Sequence, residues 1–429
     1  MGRSSEPAAH SSSFTRTRTR LDRPSGSPRA IETTPSSGTG TGSDAGLCVV
    51  REPVTDPRAR AGGLLAKHPV IDGHNDLPWV IRLQPDAPGD VRAYDLRTTT
   101  DGDTDLPRLR AGGVGGQFWS VFVPADIGSG FAHVQLEQLD LARRMIAEYA
   151  DALALCRTAD EVEAAIAGDL VASLLGLEGG HVLENSLDAL REYRELGAAY
   201  LTLTHDRTTD WADAANDTPR HGGLTDFGRQ VVREMNRLGM LVDLSHVADT
   251  TMGDALDTSR APVIFSHSSA RALCDVPRNV PDAILSGLPA NGGVCMVTFV
   301  AGFISKATAD ALAPIQAERA RRSTGPEDPA AMRALRDEIL DGATVPRPSV
   351  ADVADHVEHV ARVAGVDHVG IGGDFDGSFI WPIGLEDVSG YPNLFAELIS
   401  RGWTDADLAK LSGGNILRVM RAAEAVAAD

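Results

Sequence analysis

His74 and Asp76 stand two residues apart where the run Pro69-Val-Ile-Asp-Gly-His-Asn-Asp-Leu-Pro78 turns polar, and that run is too short for a helix. On an extended strand, residues i and i+2 project to the same side. A neutral imidazole beside a carboxylate is half of a divalent metal site, although this segment alone reads equally as a strand end with a polar turn. Five later apolar runs also finish in a potential ligand or acid. They are Val171–Leu177 before Glu178, Ala199–Thr204 before His205, Leu241–Ser245 before His246, Pro262–Ser266 before His267 and His368–Gly373 before Asp374. Each taken singly is an ordinary strand end. Six of them in one chain suggest strands that open onto one mouth.

Parity supports a shared side. His205 aligns with Leu203 and Leu201, His267 with Phe265 and Val263, Glu178 with Gly176 and Leu174, and Asp374 with Gly372 and Gly370. The glycines one step below a ligand are expected to leave room for a metal cluster. Two zinc ions ~3.5–4 Å apart need a bridging group and about three protein ligands each. His74, Asp76 and Glu178 can serve one ion, and Glu178, His246 and His267 the other, with a water or hydroxide in the remaining position. A carbamylated lysine is another way to bridge two ions in such barrels. The chain has only Lys67, Lys306 and Lys410, and none ends an expected strand. Glu178 is therefore the expected bridge.

The elements that must carry these residues follow from the texture of the sequence. From about residue 60, short apolar runs alternate with longer amphipathic stretches, the pattern of βα units. Strands are expected near 69–74, 117–123, 171–177, 200–204, 241–245, 262–266, 292–299 and 368–373. Helices are expected over 132–150, 158–168, 185–197, 225–238, 248–257 and 351–363. That count is the α/β class, a (β/α)8 TIM-type barrel with insertions, and the metal site falls at the C-terminal face of its strands. A doubly wound sheet is the competitor, but no GxGxxG follows the first strand. Residues 305–349 form a charged, helix-prone insertion, either a lid or a solvated decoration. The tail 392–427 reads as two closing helices broken at Ser412–Asn415. Residues 1–58, rich in Ser, Thr, Pro, Gly and Arg, read as a disordered tail ahead of a single domain over 59–429.

Composition narrows the function classes. A chain of 429 residues with 42% hydrophobic and 5% aromatic residues suits a soluble enzyme. A net charge of −20 argues against nucleic acid as a partner. The longest nearly uncharged apolar stretch, 292–304, is too short to span a bilayer. No secretory signal or lipid-anchor signal is evident, so no membrane partner is expected. Cys48, Cys156, Cys274 and Cys295 are widely spaced and read as free thiols in a reducing, cytoplasmic setting.

Several residues are set aside. His356-Val-Glu-His359 lacks the spacing of an inverted zincin motif and reads as a solvated helix face. His181 is either a hydrogen-bonding partner of the cluster or unrelated to it. Asp72 and Asp243 fall within strands and are expected to make structural hydrogen bonds. Asp376 rivals Asp374 but lies past the strand end. His10, His68, His133 and His221 have no supporting context.

Taken together, Asp72-Gly-His-Asn-Asp76, Gly115-Gly-Gln-Phe-Trp-Ser120, Gly176-Leu-Glu-Gly-Gly180, Leu201-Thr-Leu-Thr-His205, Asp243-Leu-Ser-His246, Val263-Ile-Phe-Ser-His-Ser-Ser269, Arg278-Asn-Val-Pro281 and Gly372-Gly-Asp-Phe-Asp-Gly377 resemble the membrane (renal) dipeptidase family of the amidohydrolase superfamily. The motifs are specific and run in order over nearly all of residues 60–425. The resemblance implies a binuclear zinc dipeptidase, of a bacterial, cytosolic type, with His74, Asp76, Glu178, His246 and His267 as ligands. It implies that His205 touches the substrate carbonyl, that Arg278 binds the terminal carboxylate and that Asp374 shuttles the proton. It also implies small dipeptide substrates, tolerance of a D-residue at the C-terminal position, and a homodimer.

The chemistry is coherent without the family. Zinc lowers the pKa of bound water from 15.7 to about 7, so a metal-bridging hydroxide can attack the carbonyl. His205 can donate to the developing oxyanion, and Asp374 can carry the proton to the leaving amine. Arg278 offers a planar fork for a carboxylate, though the residue alone reads equally as a surface arginine. One alternative is another binuclear amidohydrolase acting on a lactam, ester or cyclic amide. A second is a non-catalytic metal barrel used for binding or assembly, which would require loss of a ligand or of the proton shuttle.

Overall fold

The computed structural model describes residues 56–322, Ala334 and 345–428. Among these residues, nine strands form one sheet: β1 (Val70–Asn75), β2 (Val114–Phe122), β3 (Leu153–Leu155), β4 (Val171–Glu178), β5 (Ala198–Thr202), β6 (Leu241–Asp243), β7 (Val263–Phe265), β8 (Val294–Val297) and β9 (Val369–Ile371). The order is β1-β2-β4-β5-β6-β7-β8-β9, every pairing is parallel, and β3 pairs with β4 outside the ring. The ring closes above β1 and β9 through backbone bonds. Asp76 donates its N–H to the Phe375 carbonyl at 2.9 Å, and Asp374 donates to the His74 carbonyl at 3.1 Å. The eight expected strands are thus present as an α/β barrel of the TIM type. The additional short strand β3 lies outside the ring.

Helices follow the strands as a parallel sheet requires. The helix Asp226–Leu238 shows why the sequence stops and starts where it does. Thr225 caps it by accepting from the Gly228 N–H, and Gly239, at φ 64°, ends it in the left-handed conformation that glycine adopts without strain. Inside the barrel, Ile71, Phe118, Leu174, Tyr200, Ile264, Val294 and Met296 pack as one apolar cluster. The outer faces of the strands (Leu175, Leu177, Leu201, Val242, Val263, Val297) join the larger core under the helices.

Two expectations change here. The tail does not break at Ser412–Asn415: a wide π turn, Lys410–Gly414, runs directly into the helix Asn415–Ala428. Gly413 allows it, because a Cβ there would sit 2.9 Å from Ile71 Cδ1. The helix Val350–Ala364 does not present His356 and His359 to solvent, since both are buried. The His356 ring accepts the Ala270 N–H at Nδ1 (3.1 Å) and donates from Nε2 to the Ile304 carbonyl (3.0 Å), pinning the loops after β7 and β8. The 305–349 insertion begins with the helix Lys306–Arg322 and reappears at Val345. The lid reading falls mainly on residues outside the described ones, as does the 1–58 tail reading up to Thr55.

Candidate metal centre

Asp72, buried in mid-strand, builds the seam of the barrel. Its Oδ1 accepts from the His74 N–H (2.9 Å) and Gln117 Nε2 (2.8 Å), and its Oδ2 from the Gly373 N–H (2.6 Å) and Tyr391 Oη (2.9 Å). One carboxylate thereby ties β1 to β2 and to the segment after β9, which fixes His74 relative to Asp374. Asp243 plays a similar part at β6, accepting from Ser245 N, Ser266 N, Thr202 Oγ1 and Ser266 Oγ. Both residues make structural hydrogen bonds, as their places within strands suggest.

Glu178, the last residue of β4, occupies the centre of the mouth. Its Oε1 lies 3.0 Å from His246 Nε2, 3.5 Å from His74 Nε2, 3.5 Å from His267 Nε2 and 3.8 Å from His205 Nε2. Its Oε2 accepts from Ser120 Oγ at 3.0 Å. His74 Nε2 is also 3.4 Å from Asp76 Oδ2 and 3.9 Å from Asp374 Oδ1. His246 and His267 bring their Nε2 atoms within 2.9 Å of each other. Three overlapping groups have donor atoms close enough to share an ion: His74–Glu178–His267, Glu178–His205–His246 and His74–Asp76–Asp374.

The residues fit a divalent cluster on their own chemistry. His74 Nε2 is buried with no hydrogen-bond partner, although carboxylate oxygens surround it. Its Nδ1 meets Tyr200 Oη at 2.8 Å, and that hydroxyl also donates to the Gly73 carbonyl at 3.3 Å. Nδ1 is thus occupied and Nε2 is free for a ligand. A buried nitrogen of this kind is costly unless something binds it. Imidazole nitrogens with carboxylate oxygens are the donor set of zinc and similar borderline ions.

Electrostatics are strongly perturbed. Burial alone would raise the Glu178 carboxyl, yet the histidines around it, His74 and His205 first, hold it well below the usual range. Burial holds His267 well below the ordinary imidazole value, helped by His74 and Arg278, and it lowers His246 too. Both rings are therefore held in the neutral form that a metal ligand would need, whereas His74 goes the other way: against its burial, Tyr200, Glu178 and Asp76 raise it well above the ordinary value. Burial, with Asp76 and Glu178 adding repulsion, pushes the Asp374 carboxyl well above its ordinary value against the pull of His74.

His246 and Asp374 both take φ 67°, a conformation uncommon outside glycine. Strain of this kind gathers at functional sites. Both residues, with His205 and His267, stand two or three positions past their strands. Turn geometry therefore aims them, and the expected shared parity fails: Leu201 and Leu203, the parity mates of His205, and Val263 and Phe265, those of His267, join the outer core, whereas Leu174, the mate of Glu178, faces the barrel interior.

Arg278 is buried, not a surface arginine. It donates to Ser268 Oγ and to the His267 carbonyl, each at 3.3 Å, and lies 5.1 Å over the Phe303 ring. Its Nε has no partner, and no carboxylate pairs with it among the described residues. Asp376 points elsewhere: it accepts from the Asp103 N–H at 2.7 Å and donates its own N–H to Asp103 Oδ2 at 2.9 Å. His181 donates from Nε2 to the Val123 carbonyl (2.8 Å) and makes no hydrogen bond to a candidate ligand.

The glycines do not leave empty room for ions. A Cβ at Gly176 would strike the Tyr200 ring, and one at Gly372 would strike the Ser266 carbonyl. That space is filled by Tyr200 and Ser266, which hydrogen-bond to the candidate ligands His74 and His267. Tyr200, Ser120 and Ser266 are the functional residues that sequence reasoning passed over. Their only signal is place: Ser120 and Ser266 lie inside quoted motifs, and Tyr200 borders one.

Comparisons with known proteins fit this geometry. The profile of the membrane dipeptidase family (peptidase family M19) matches residues 58–429. Dipeptidase 3 of Rattus norvegicus is 42% identical over 381 residues, 87% of this chain and 69% of that protein. The probable dipeptidase PvdM of Pseudomonas aeruginosa superposes with a TM-score of 0.73 at 25% identity, over 86% of this chain and 99% of its own. A metallopeptidase of Rhodobacter sphaeroides, solved with a phosphinate mimic of the dipeptide L-Ala-D-Ala, gives 0.67 at 26% identity, over 83% of this chain and 99% of its own.

Proposed function

We infer, for a chain that belongs to the membrane dipeptidase family (peptidase family M19), zinc-dependent hydrolysis of small dipeptides with tolerance of a D-residue at the C-terminal position. The chain is a metallo-dipeptidase of that family. The number and identity of the ions, the residue roles and the stereochemical range are the proposal. The observation that carries it is Glu178 Oε1 set among the Nε2 atoms of His74, His205, His246 and His267. A single carboxylate so placed supports a bridge between an ion held with His74 and Asp76 and another held with His246 and His267.

When bound, the two ions would supply Lewis acidity and a lowered water pKa, which no side chain here can provide. The chain's own groups do the rest. Arg278 receives the C-terminal carboxylate of the dipeptide on a fork that no protein carboxylate occupies among the described residues. His205, only partly buried at the mouth, donates to the carbonyl oxygen as charge develops there. Asp374 takes the proton of the attacking water on its carboxylate and returns it to the leaving amine. A carboxyl held above its ordinary range suits that work.

Tolerance of a D-residue is supported by the similar fold of the metallopeptidase that holds an L-Ala-D-Ala mimic. Arg278 favours dipeptides over the lactam, ester or cyclic amide alternative, because it demands a free carboxylate. A cytoplasmic location is supported by three free, buried thiols, Cys156, Cys274 and Cys295, and no helix of the described residues is long and apolar enough to cross a membrane. The net charge of −20 disfavours nucleic acid. A homodimer follows from the family resemblance, and sedimentation of the purified protein tests it.

The deciding experiment is a panel of dipeptides with L or D C-terminal residues, assayed beside their C-terminal amides. Cleavage of the free acids, lost on chelation, is expected. Equal cleavage of the amides would overturn the substrate assignment.

A further inference from the structure

The three histidines closest to Glu178 are held in different ways. His74 leans on Tyr200, and His246 Nδ1 has no hydrogen-bond partner, with Asp206 Oδ1 at 3.7 Å. His267 Nδ1 meets Ser266 Oγ at 2.8 Å, and that hydroxyl lies 2.6 Å from Asp243 Oδ2. Asp243, Ser266 and His267 are all buried, so water does not compete for these bonds.

Proton counting fixes their direction. A carboxylate only accepts, and Asp243 already receives the Ser245 and Ser266 N–H groups at Oδ1 (3.1 and 2.8 Å) and Thr202 Oγ1 at Oδ2 (2.5 Å). A serine hydroxyl has one proton to give. The other acceptor in reach of Ser266 Oγ is Ser245 Oγ, neutral and at 3.4 Å. The short contact to the charged carboxylate takes the proton. With that proton committed, Ser266 Oγ can meet His267 Nδ1 only as an acceptor, so Nδ1 carries the hydrogen. Nε2 is left with its lone pair facing Glu178 Oε1 at 3.5 Å.

We propose that Asp243, acting through the Ser266 hydroxyl, is a positioning residue that fixes His267 as the Nδ1–H tautomer and so presents Nε2 to the metal cluster. In its consequence for metal affinity this rests on the ligand role given to His267 above. The tautomer itself does not depend on that role. The device is an acid–alcohol–imidazole relay built from residues on β6 and just beyond β7, and it extends the part of Asp243 beyond holding strands together.

The test reads the tautomer directly. In metal-free protein with 15N-labelled histidine, the His267 ring, assigned by its loss in His267→Gln, should show the Nδ1–H pattern of imidazole nitrogen shifts. In Asp243→Asn, the amide oxygen keeps the two backbone donors and the amide nitrogen becomes a donor to Ser266. The hydroxyl then turns toward His267 Nδ1, and the ring should switch to Nε2–H. Zinc affinity, measured by competition with a chromophoric chelator, should fall ~10–100-fold, the usual cost of losing such a supporting partner. Ser266→Ala, a smaller change, should leave both tautomers populated and also weaken zinc. Thr202→Val removes another bond to Asp243 without touching the relay, and should leave the tautomer and the affinity within about twofold of the parent.

An Nε2–H ring in the parent protein would overturn the proposal, as would an Nδ1–H ring in folded Asp243→Asn. So would a loss of zinc affinity in Thr202→Val equal to that in Asp243→Asn. A parent protein with the expected tautomer that binds no zinc would instead overturn the metal reading and leave the relay standing.

Discussion

Arg278 carries a guanidinium that is buried without a carboxylate partner among the described residues. Such a charge weighs against stability in the free protein and finds its partner when a substrate carboxylate arrives. Arg278→Met should therefore lower kcat/KM for dipeptides ~10²–10⁴-fold, mostly through KM, since two hydrogen bonds to charged groups of about 1.5–3 kcal/mol each are lost. Its thermal midpoint without ligand should be unchanged or higher. A marked loss of stability with unaltered KM would reverse that assignment. Asp374→Asn should lower kcat ~10²–10⁴-fold, the range of a lost general acid–base, and metal content measured alongside should stay at the parent level. The residues that converge on the mouth of the barrel were legible in the sequence because His, Asp and Glu are uncommon at the ends of apolar runs. The residues that aim them were not. Tyr200, Ser120 and Ser266 are ordinary barrel and strand-end residues until the distances to His74, Glu178 and His267 are known.

At the scale of elements, alternating apolar runs announced the eight barrel strands, because a parallel strand buried on both faces must be nearly continuous in hydrophobic residues. Two features escaped that signal. β3 is three residues long, too short to show a period. The exposure of a helix face depends on what packs against it, and so His356 and His359 looked solvated when they are buried. The glycines below the ligands mark close packing: Gly176 makes space for Tyr200, not for ions. Gly176→Ala should cost ~1–3 kcal/mol by overpacking and, by moving Tyr200 away from His74, should also weaken metal binding.

His356 has a pH signature of its own. Burial holds this imidazole down to about 4, against an ordinary value of 6.5, and its Nδ1 must stay unprotonated to accept the Ala270 N–H. Between pH 6.5 and 4 the unfolded chain binds a proton that the folded one refuses, so stability falls as the pH drops through that window. Thermal melts across it should show a shallower decline in His356→Gln than in the parent. Parallel declines would mean that His356 contributes nothing to acid sensitivity.

For the whole molecule, the barrel brings to one mouth residues that lie some 300 positions apart in sequence, from His74 to Asp374. It closes its last seam directly beneath them, through Asp72, Asp76 and Asp374. Fold and site are thus stabilised by the same contacts, and the many donors around Glu178 are the reason a metal cluster is proposed there. The direct test is metal reconstitution: strip the protein, add zinc in measured equivalents, and follow both bound metal and hydrolysis of an alanyl dipeptide. Activity should rise to full value at two equivalents per chain, and Glu178→Gln should remain folded but inactive at any zinc level. Full hydrolysis by metal-free protein, or parent-like turnover by Glu178→Gln, would contradict a two-ion centre bridged by Glu178.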